Sequence, residues 1–264
     1  MRPLDPAAVT ARPGVTTWVR WVPWVLAGAG ILSQIAFPLT GGGTYALTVS
    51  AVAFLAASAL AHAVITRGVL AGVALVVVAG GGAFVLEAVG LATGYPFGAY
   101  DYTGTLGVEA LGVPLLVPLA WIMMAWPALA VARRLTRGRP RWTTPVVAAW
   151  ALTAWDVFLD PQMVDAGHWY WLNPTPALPG VPGIPITNFL GWLVVSYLIG
   201  LVLDRLVADG PDGVPVTVFV WTFLSSVMAN AVFFGRPSVA LVGALVMGVV
   251  GVPLIVGLVR ERRR

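Results

Sequence analysis

Long apolar runs separated by short polar segments dominate the chain. Read between charged residues and turn signals, they form stretches of about 17–25 residues, long enough to cross a hydrocarbon core of roughly 30 Å as helices. The eight stretches are 21–38, 44–65, 69–93, 113–132, 144–160, 187–203, 215–234 and 237–259. The pattern therefore predicts an all-α fold, a polytopic transmembrane helical bundle of about eight spans.

The composition agrees with this prediction. Of the 264 residues, 59% are hydrophobic and only 10% are charged, and the mean hydropathy is +0.88. Soluble domains carry about 25% charged residues, so this chain has too few charges to cover the surface of a soluble globule. We therefore expect an integral membrane protein.

The basic residues predict how the spans are oriented. All 15 are arginines, and positively charged residues concentrate at the cytoplasmic ends of membrane helices. With the N-terminus inside, only Arg236 falls on the outer side. The other 14 fall on cytoplasmic segments: Arg2, Arg12, Arg20, Arg67, Arg133, Arg134, Arg137, Arg139, Arg141, Arg205, Arg260, Arg262, Arg263 and Arg264. We therefore expect both termini in the cytoplasm.

This orientation divides the chain into three parts. Residues 1–20 lack the compact pattern of a cleavable signal peptide, so we expect a cytoplasmic leader ahead of an uncleaved first helix. Residues 21–259 are predicted to form a single transmembrane domain, and residues 260–264 a basic cytoplasmic tail. The arginines at 133–141 are explained as a topology anchor near anionic lipid, so we expect no nucleic-acid partner.

Missing residue types exclude several kinds of chemistry. The chain has no lysine, so it cannot hold retinal or pyridoxal phosphate as a Schiff base. It has no cysteine to form a disulfide, a thiolate nucleophile or an iron–sulfur ligand, and its two histidines are too few for a multi-histidine di-iron site. We expect no metal and no cofactor, and chemistry that comes from carboxyls, hydroxyls, amides and aromatic rings.

Two connections on the outer side, 94–112 and 161–186, are unusually long, and long ordered loops usually carry function. The first is rich in glycine and aromatic residues. The second contains the aromatic run 168–171 followed by five prolines. That proline density predicts a stiff lid with little helix.

Polar side chains inside membrane spans are costly and therefore mark candidate sites. Counting from the span ends places six of them in the outer half of five different spans: Gln34, Glu87, Asp156, Asp160, Asn188 and Asn230. Neighbouring spans run in opposite directions, so residues at the same depth lie near the end of one span and near the start of the next. A regular spacing along the sequence would not produce this shared depth. We therefore predict a polar site beneath the two long loops.

Helical spacing indicates that the carboxyls face protein rather than lipid. Asp156 and Asp160 are four residues apart and share one face of the fifth span. Glu87 lies on a stripe with small residues such as Ala83 and Gly90, which let helices approach closely. We take these three carboxyls as the catalytic candidates. Hydrogen bonding between helices, without catalysis, is the alternative role for these carboxyls and for the amide side chains.

Buried carboxyls can supply a proton inside a membrane, because burial disfavours the charged form and two carboxylates that share a site repel each other. Aromatic faces stabilise cations. The combination suits protonation of an apolar alkene to a tertiary carbocation, which water or an internal double bond can capture. The candidates for lining the pocket are Tyr95, Tyr100, Trp155 and Trp192. Asn188 and Asn230 are the candidates for orienting the carboxyls or the water.

Several uncommon residue combinations follow one another in the middle of the chain. They are GYPFGAYDYTGTLG at 94–107, after Glu87; VPL at 113–115; WIMM at 121–124; WDVFLDPQM at 155–163; GHWYW at 167–171; and GIPITNFLGW at 183–192. Together they resemble the integral-membrane carotenoid biosynthesis family that contains the carotenoid end-group hydratases of the bacterioruberin and myxol-type pathways. The resemblance covers about residues 85–195 specifically, and the flanking spans only in hydropathy.

The resemblance implies hydration of the terminal double bond of an acyclic carotenoid, such as lycopene or a longer homologue, without a cofactor. It implies membrane lipid as a further partner, association with other carotenoid enzymes, and a location in a prokaryotic cytoplasmic membrane. The chain is also similar, more distantly, to the small membrane lycopene cyclases. Those enzymes begin with the same protonation, so cyclisation stays open beside hydration.

Two interpretations of another kind also stay open. Asp156-x-x-x-Asp160 resembles half of the aspartate-rich signature of membrane prenyltransferases, but only one such motif is present and it lies away from the arginine-rich side. A proton-coupled transporter can use intramembrane carboxylates as a relay. The sequence shows no inverted repeat and no charges that step through the whole membrane, which counts against transport.

Overall fold

The computed structural model describes residues 17–41 and 44–263. Most of the predicted leader, with Arg2 and Arg12, and the last residue of the predicted tail, Arg264, lie outside the described residues. Within them the chain forms eight long helices: α1 (Val22–Leu39), α2 (Tyr45–Arg67), α3 (Val69–Thr93), α4 (Leu116–Leu135), α5 (Thr143–Asp165), α6 (Ile186–Leu206), α7 (Gly213–Phe233) and α8 (Pro237–Arg262). The prediction of an all-α transmembrane bundle is confirmed.

Seven of these eight helices are long and apolar enough to cross a membrane, and α5 is the exception. It carries Asp156 and Asp160, yet most of its residues are buried. It packs against α6, α4 and α8. A helix enclosed by other helices needs no lipid-compatible surface, so the polar side chains of α5 have protein neighbours on several sides.

Two of the long helices contain a wider π-helical turn. In α3 the turn covers Leu75–Gly81, and in α7 it covers the last five residues, Ala229–Phe233. Such turns often occur at functional positions, because the altered pitch re-aims the side chains beyond them. The second turn contains Asn230, whose carbonyl accepts a hydrogen bond from the Arg236 backbone at 2.9 Å.

The second long loop begins later than the sequence predicts. Asp160-Pro161 reads as a helix end, because proline has no N–H to donate and its ring crowds the preceding turn. The structure instead continues α5 through a buried Pro161 to Asp165. The loop predicted at 161–186 is therefore 166–185, and five residues join the helix.

The two long connections form one unit over the bundle, which we call the lid and define as residues 94–115 and 166–185. It contains three two-stranded antiparallel sheets. The strands are β1 (Tyr100–Tyr102) paired with β4 (Trp169–Trp171), β2 (Glu109–Ala110) with β3 (Val113–Pro114), and β5 (Ala177–Leu178) with β6 (Val181–Pro185). The β1–β4 pair joins the two connections to each other.

Glycines let the lid sit directly on the helices. A Cβ atom at Gly191 of α6 would lie 2.6 Å from the carbonyl oxygen of Pro96, far inside van der Waals contact. A Cβ atom at Gly90 of α3 would lie 2.9 Å from the hydroxyl of Tyr100. Neither position has room for a larger residue without movement of the lid.

Ion pairs join the opposite ends of the helices, which we call the arginine side. Arg133 at the end of α4 contacts Asp204 at 2.7 Å, and Arg134 contacts Asp212 at 2.8 Å and also Glu261 of α8. The acidic loop between α6 and α7 therefore lies on the arginine side, away from the lid. That the arginine side faces the cytoplasm stays a prediction from the arginine distribution.

Candidate functional site

A cavity of about 90 Å³ lies beneath the lid, among α2, α3, α4, α5 and α6. Its walls are mainly aliphatic and aromatic, and four polar side chains of the helices interrupt them: Thr48, Glu87, Asp160 and Asn188. We call it the lid cavity. An apolar cavity with a few convergent polar groups is the usual form of a small-molecule site.

Glu87 forms hydrogen bonds with side chains of both the lid and the helical bundle. Its Oε2 atom accepts hydrogen bonds from the hydroxyl of Tyr100 at 2.5 Å and from that of Tyr102 at 3.0 Å. Its Oε1 atom accepts one from the indole Nε1 of Trp121 at 3.4 Å. The two tyrosines reach the same carboxyl because residues two apart on a strand point to the same face, and the Asp101 between them is exposed.

Both tyrosines are held as hydrogen-bond donors. Burial raises the pKa of Tyr100 and of Tyr102 well above the ordinary value of 10.0, and the neighbouring Glu87 carboxyl raises the pKa of each further. Neither hydroxyl therefore ionises in the physiological pH range. The lid therefore presents two O–H groups to Glu87 at neutral pH.

The two aspartates of α5 share one amide group from α6. The Nδ2 atom of Asn188 donates to Oδ2 of Asp156 at 2.9 Å and to Oδ2 of Asp160 at 2.5 Å. Asp160 lines the lid cavity, whereas Asp156 is fully buried behind it. Among the described residues, the Oδ1 atom of Asp156 has no hydrogen-bond partner. Only one of the two carboxyls thus faces the space where a ligand would lie.

Stacked indoles form one wall of the lid cavity. Trp121 of α4 and Trp192 of α6 stack at 4.0 Å between ring centroids, with an interplanar angle of 9°. Trp155 of α5 meets Trp192 edge to face at 6.1 Å. Aromatic faces attract positive charge through their quadrupole, so this wall favours a cationic centre in the cavity.

A second cavity, of about 220 Å³, lies next to the first, and we call it the middle cavity. The two share the wall residues Thr48, Val52, Ala120, Leu159 and Met163. The middle cavity is lined by Gln34, Trp155 and Asn230. Gln34 accepts a hydrogen bond from Trp221 at 2.8 Å, and Asn230 donates one to the Ser226 carbonyl at 2.9 Å.

The structure brings most, but not all, of the predicted site residues together. Glu87, Asp160, Asn188, Tyr100 and Trp192 line the lid cavity. Asp156 lies behind it, and Trp155 and Asn230 line the middle cavity. Tyr95 lines neither cavity and is 78% exposed, because it follows the glycine turn that ends α3 and remains on the outside of the lid.

Sequence reasoning missed Tyr102 and did not assign a polar role to Trp121. The tripeptide Tyr100-Asp101-Tyr102 holds the signal for the first, because its period of two predicts both tyrosines on one strand face. For the second, a buried indole N–H needs an acceptor, and Glu87 supplies it. Among residues 17–41 and 44–263, no three histidine or acidic side chains lie together in a way that could hold a metal ion.

Comparison with known proteins finds one family and one relative that are similar to this chain. The family described as "Carotenoid biosynthesis protein" matches residues 43–258. A bisanhydrobacterioruberin hydratase of Haloarcula japonica is 29% identical over 174 residues, which cover 60% of this chain and 57% of that relative. The chain therefore matches little more than half of that relative's length. No solved structure is significantly similar to the chain.

Proposed function

The chain belongs to the carotenoid biosynthesis protein family, and from that premise we propose that it adds water to the terminal double bond of an acyclic carotenoid. The observation that carries the proposal is the meeting of two carboxyls, Glu87 and Asp160, from different helices in one aromatic, apolar cavity. The relative that bears the name of a hydratase supports the same reaction type. We place the protein in the cytoplasmic membrane of a prokaryote.

In the proposed mechanism Asp160 donates the proton. It faces the cavity, and it shares the Asn188 amide with Asp156 one helical turn away. Two carboxylates so close together repel each other, which favours a single proton shared by the pair. Transfer of that proton to the CH carbon of the terminal double bond leaves a tertiary carbocation on the carbon that bears the two methyl groups, and a carboxylate on Asp160.

Glu87 is the proposed acceptor. Its three hydrogen-bond donors, Tyr100, Tyr102 and Trp121, stabilise the carboxylate form. A carboxylate can orient a water molecule toward the cation and accept the proton that the water loses when its oxygen bonds to carbon. The net change is addition of one water to the double bond. One proton has moved from the aspartate pair to Glu87, and its return restores the site.

The remaining site residues hold the intermediate and the carboxyls in place. The stacked pair of Trp121 and Trp192 lies where it can stabilise the cation through its ring faces. Asn188 fixes the distance between Asp156 and Asp160, and Asp156 acts as a positioning residue for Asp160. The apolar walls limit access of bulk water, which restricts side reactions of the cation.

The test is co-expression of the chain in a host that accumulates lycopene, followed by mass and absorption measurement of the pigments. We expect products heavier than lycopene by one water for each modified end. An isomer of unchanged mass with a shortened chromophore would contradict hydration and indicate a cyclase. Unchanged pigment would contradict both, and proton-coupled uptake into vesicles would then favour a transporter.

A pair of matched variants on α5 tests the assigned donor. Asp160→Asn keeps the shape of the side chain but removes the acidic proton, and general acid catalysis is worth about 10²–10⁴-fold in rate. We expect a loss of that size in water addition. Asp165→Asn, on the exposed end of the same helix, should keep normal turnover. Equal activity of the two variants would exclude Asp160 as the donor.

A further inference from the structure

The middle cavity continues into a groove that follows α7 toward the arginine side. The groove and the middle cavity share the wall residues Trp221, Ser225 and Met228. We call it the α7 groove. On α7 it is lined at helical spacing by one stripe: Gly213, Thr217, Val220, Trp221, Leu224 and Met228. Three spaces therefore follow one another through the protein, from Glu87 beneath the lid to the arginine side.

We propose that these three adjoining spaces together form the binding site for the conjugated chain of the substrate, which lies along α7 across the membrane with one end group in the lid cavity. The identity of the ligand as a carotenoid rests on the proposed function. The site itself rests on the geometry of α7 and its neighbours.

The length of the groove suits a rigid linear polyene. Along the stripe from Gly213 to Met228 the helix rises about 22 Å at 1.5 Å per residue, which is most of the roughly 30 Å of a bilayer hydrocarbon core. The groove has a volume of about 730 Å³. A conjugated chain is straight and stiff, so it fits a straight groove along one helix without loss of conformational freedom.

The neighbouring helices leave part of this stripe open. The α1 helix contacts the middle of the stripe through the Gln34–Trp221 hydrogen bond of 2.8 Å, and nearer the lid Phe37 meets Phe234 edge to face. At the arginine side, a Cβ atom on Gly213 would lie 3.4 Å from the Trp24 ring. Leu224, which lies between Trp221 and Phe234 along the chain, is 53% exposed. The α1 helix thus contacts α7 at separate levels and leaves Leu224 open.

The chemistry at the two ends of the space is different. The lid end offers the carboxyls of the candidate site, and the opposite end is lined by the Arg134–Asp212 ion pair and by Arg262. A ligand that fills the whole space has only one end group among the carboxyls. Modification of a second, equivalent end would require the ligand to leave and return in the reverse direction.

Single cysteines in this cysteine-free chain test the groove directly. The variants are Thr217→Cys and Leu224→Cys in the stripe. The control is Val194→Cys on α6, which is 57% exposed and lines none of the three spaces. Each purified full-length variant is labelled in detergent with a small maleimide, with and without lycopene. We expect lycopene at about ten times its Kd to slow labelling of both groove cysteines about tenfold and to leave the control unchanged.

Each other outcome decides against the inference. Equal labelling rates with and without lycopene at both groove positions would show that the polyene lies elsewhere. Equal protection by added phospholipid alone would show that the groove is an ordinary lipid contact. Labelling needs no turnover, so the two proposals can fail separately. If lycopene protects the groove cysteines but the chain adds no water, the proposed function is refuted and the groove remains a polyene site. If the chain adds water but lycopene gives no protection, the groove is refuted and the proposed function remains.

Discussion

At the scale of single residues, Glu87 depends on groups from three parts of the chain. The carboxyl itself belongs to α3, two of its donors belong to β1 of the lid, and the third, Trp121, belongs to α4. A buried carboxylate is tolerated only when hydrogen bonds replace its lost hydration. The hydrogen bonding of Glu87 therefore depends on the correct packing of α3, α4 and the lid.

Replacement of Glu87 by glutamine should separate charge from shape. Glu87→Gln preserves volume and one carbonyl acceptor but cannot take up a proton from water, so we expect water addition to fall by about 10²–10⁴-fold. The pigment assay of the co-expression host measures this loss. Glu109→Gln, an exposed position in the lid, is the control and should remain active. A fully active Glu87→Gln variant would remove Glu87 from the proposed mechanism.

At the scale of elements, the lid is positioned by close contacts with α3 and α6. The β1–β4 pairing fixes Tyr100 opposite Trp171 and Tyr102 opposite Trp169. The carbonyl of Phe97 accepts a hydrogen bond from the Trp171 indole at 2.9 Å. A shift of the loop around Pro96 would therefore move the tyrosine hydroxyls that contact Glu87. The hydrogen bonds to Glu87 therefore depend on the position of the lid.

A single methyl group at the contact between lid and α6 should disturb the site without unfolding the bundle. In Gly191→Ala the new Cβ atom would lie 2.6 Å from the Pro96 carbonyl oxygen, so the loop must move. We expect faster proteolysis within the lid and reduced water addition, at unchanged helical circular dichroism. The matched control is Gly82→Ala on α3, where the Cβ position has no neighbour within 4 Å. Equal lid proteolysis in both variants would contradict the contact's role.

At the scale of the whole molecule, the arginines and the site carboxyls lie on opposite sides. The arginine side holds paired arginines and aspartates such as Arg133 with Asp204, whereas the lid side holds the three site carboxyls. The exception among the arginines, Arg236, lies on the lid side, where it contacts Asp165 at 3.2 Å. This separation is the basis for the prediction that the lid faces away from the cytoplasm.

Cysteine labelling in intact cells tests that orientation. Val108→Cys, 73% exposed on the lid, should react with a membrane-impermeant maleimide added outside. Arg139→Cys, exposed on the arginine side, should react only after the cells are opened. The reverse pattern would invert the topology and place the candidate site on the cytoplasmic side.

The sequence predicted the features that are determined within a single helix. It did not predict features that depend on contacts between segments far apart in the chain. The eight spans and the shared face of Asp156 and Asp160 follow from periodicity within one helix. That Asp160 faces the cavity while Asp156 lies behind it depends on how α5 rotates against α6, which no local pattern encodes. The exposed position of Tyr95 likewise depends on the path of the lid after Gly94.

The β1–β4 pairing also sets an order of assembly. It joins Tyr100–Tyr102 to Trp169–Trp171, strands that are separated along the chain by both α4 and α5, so its contact order is high and its loop must close before any ladder bond forms. The ladder cannot form until α5 has been inserted and both connections lie on the same side of the bundle. A newly inserted bundle therefore contains Glu87 without two of its three donors, and the candidate site is complete only after the two connections have paired.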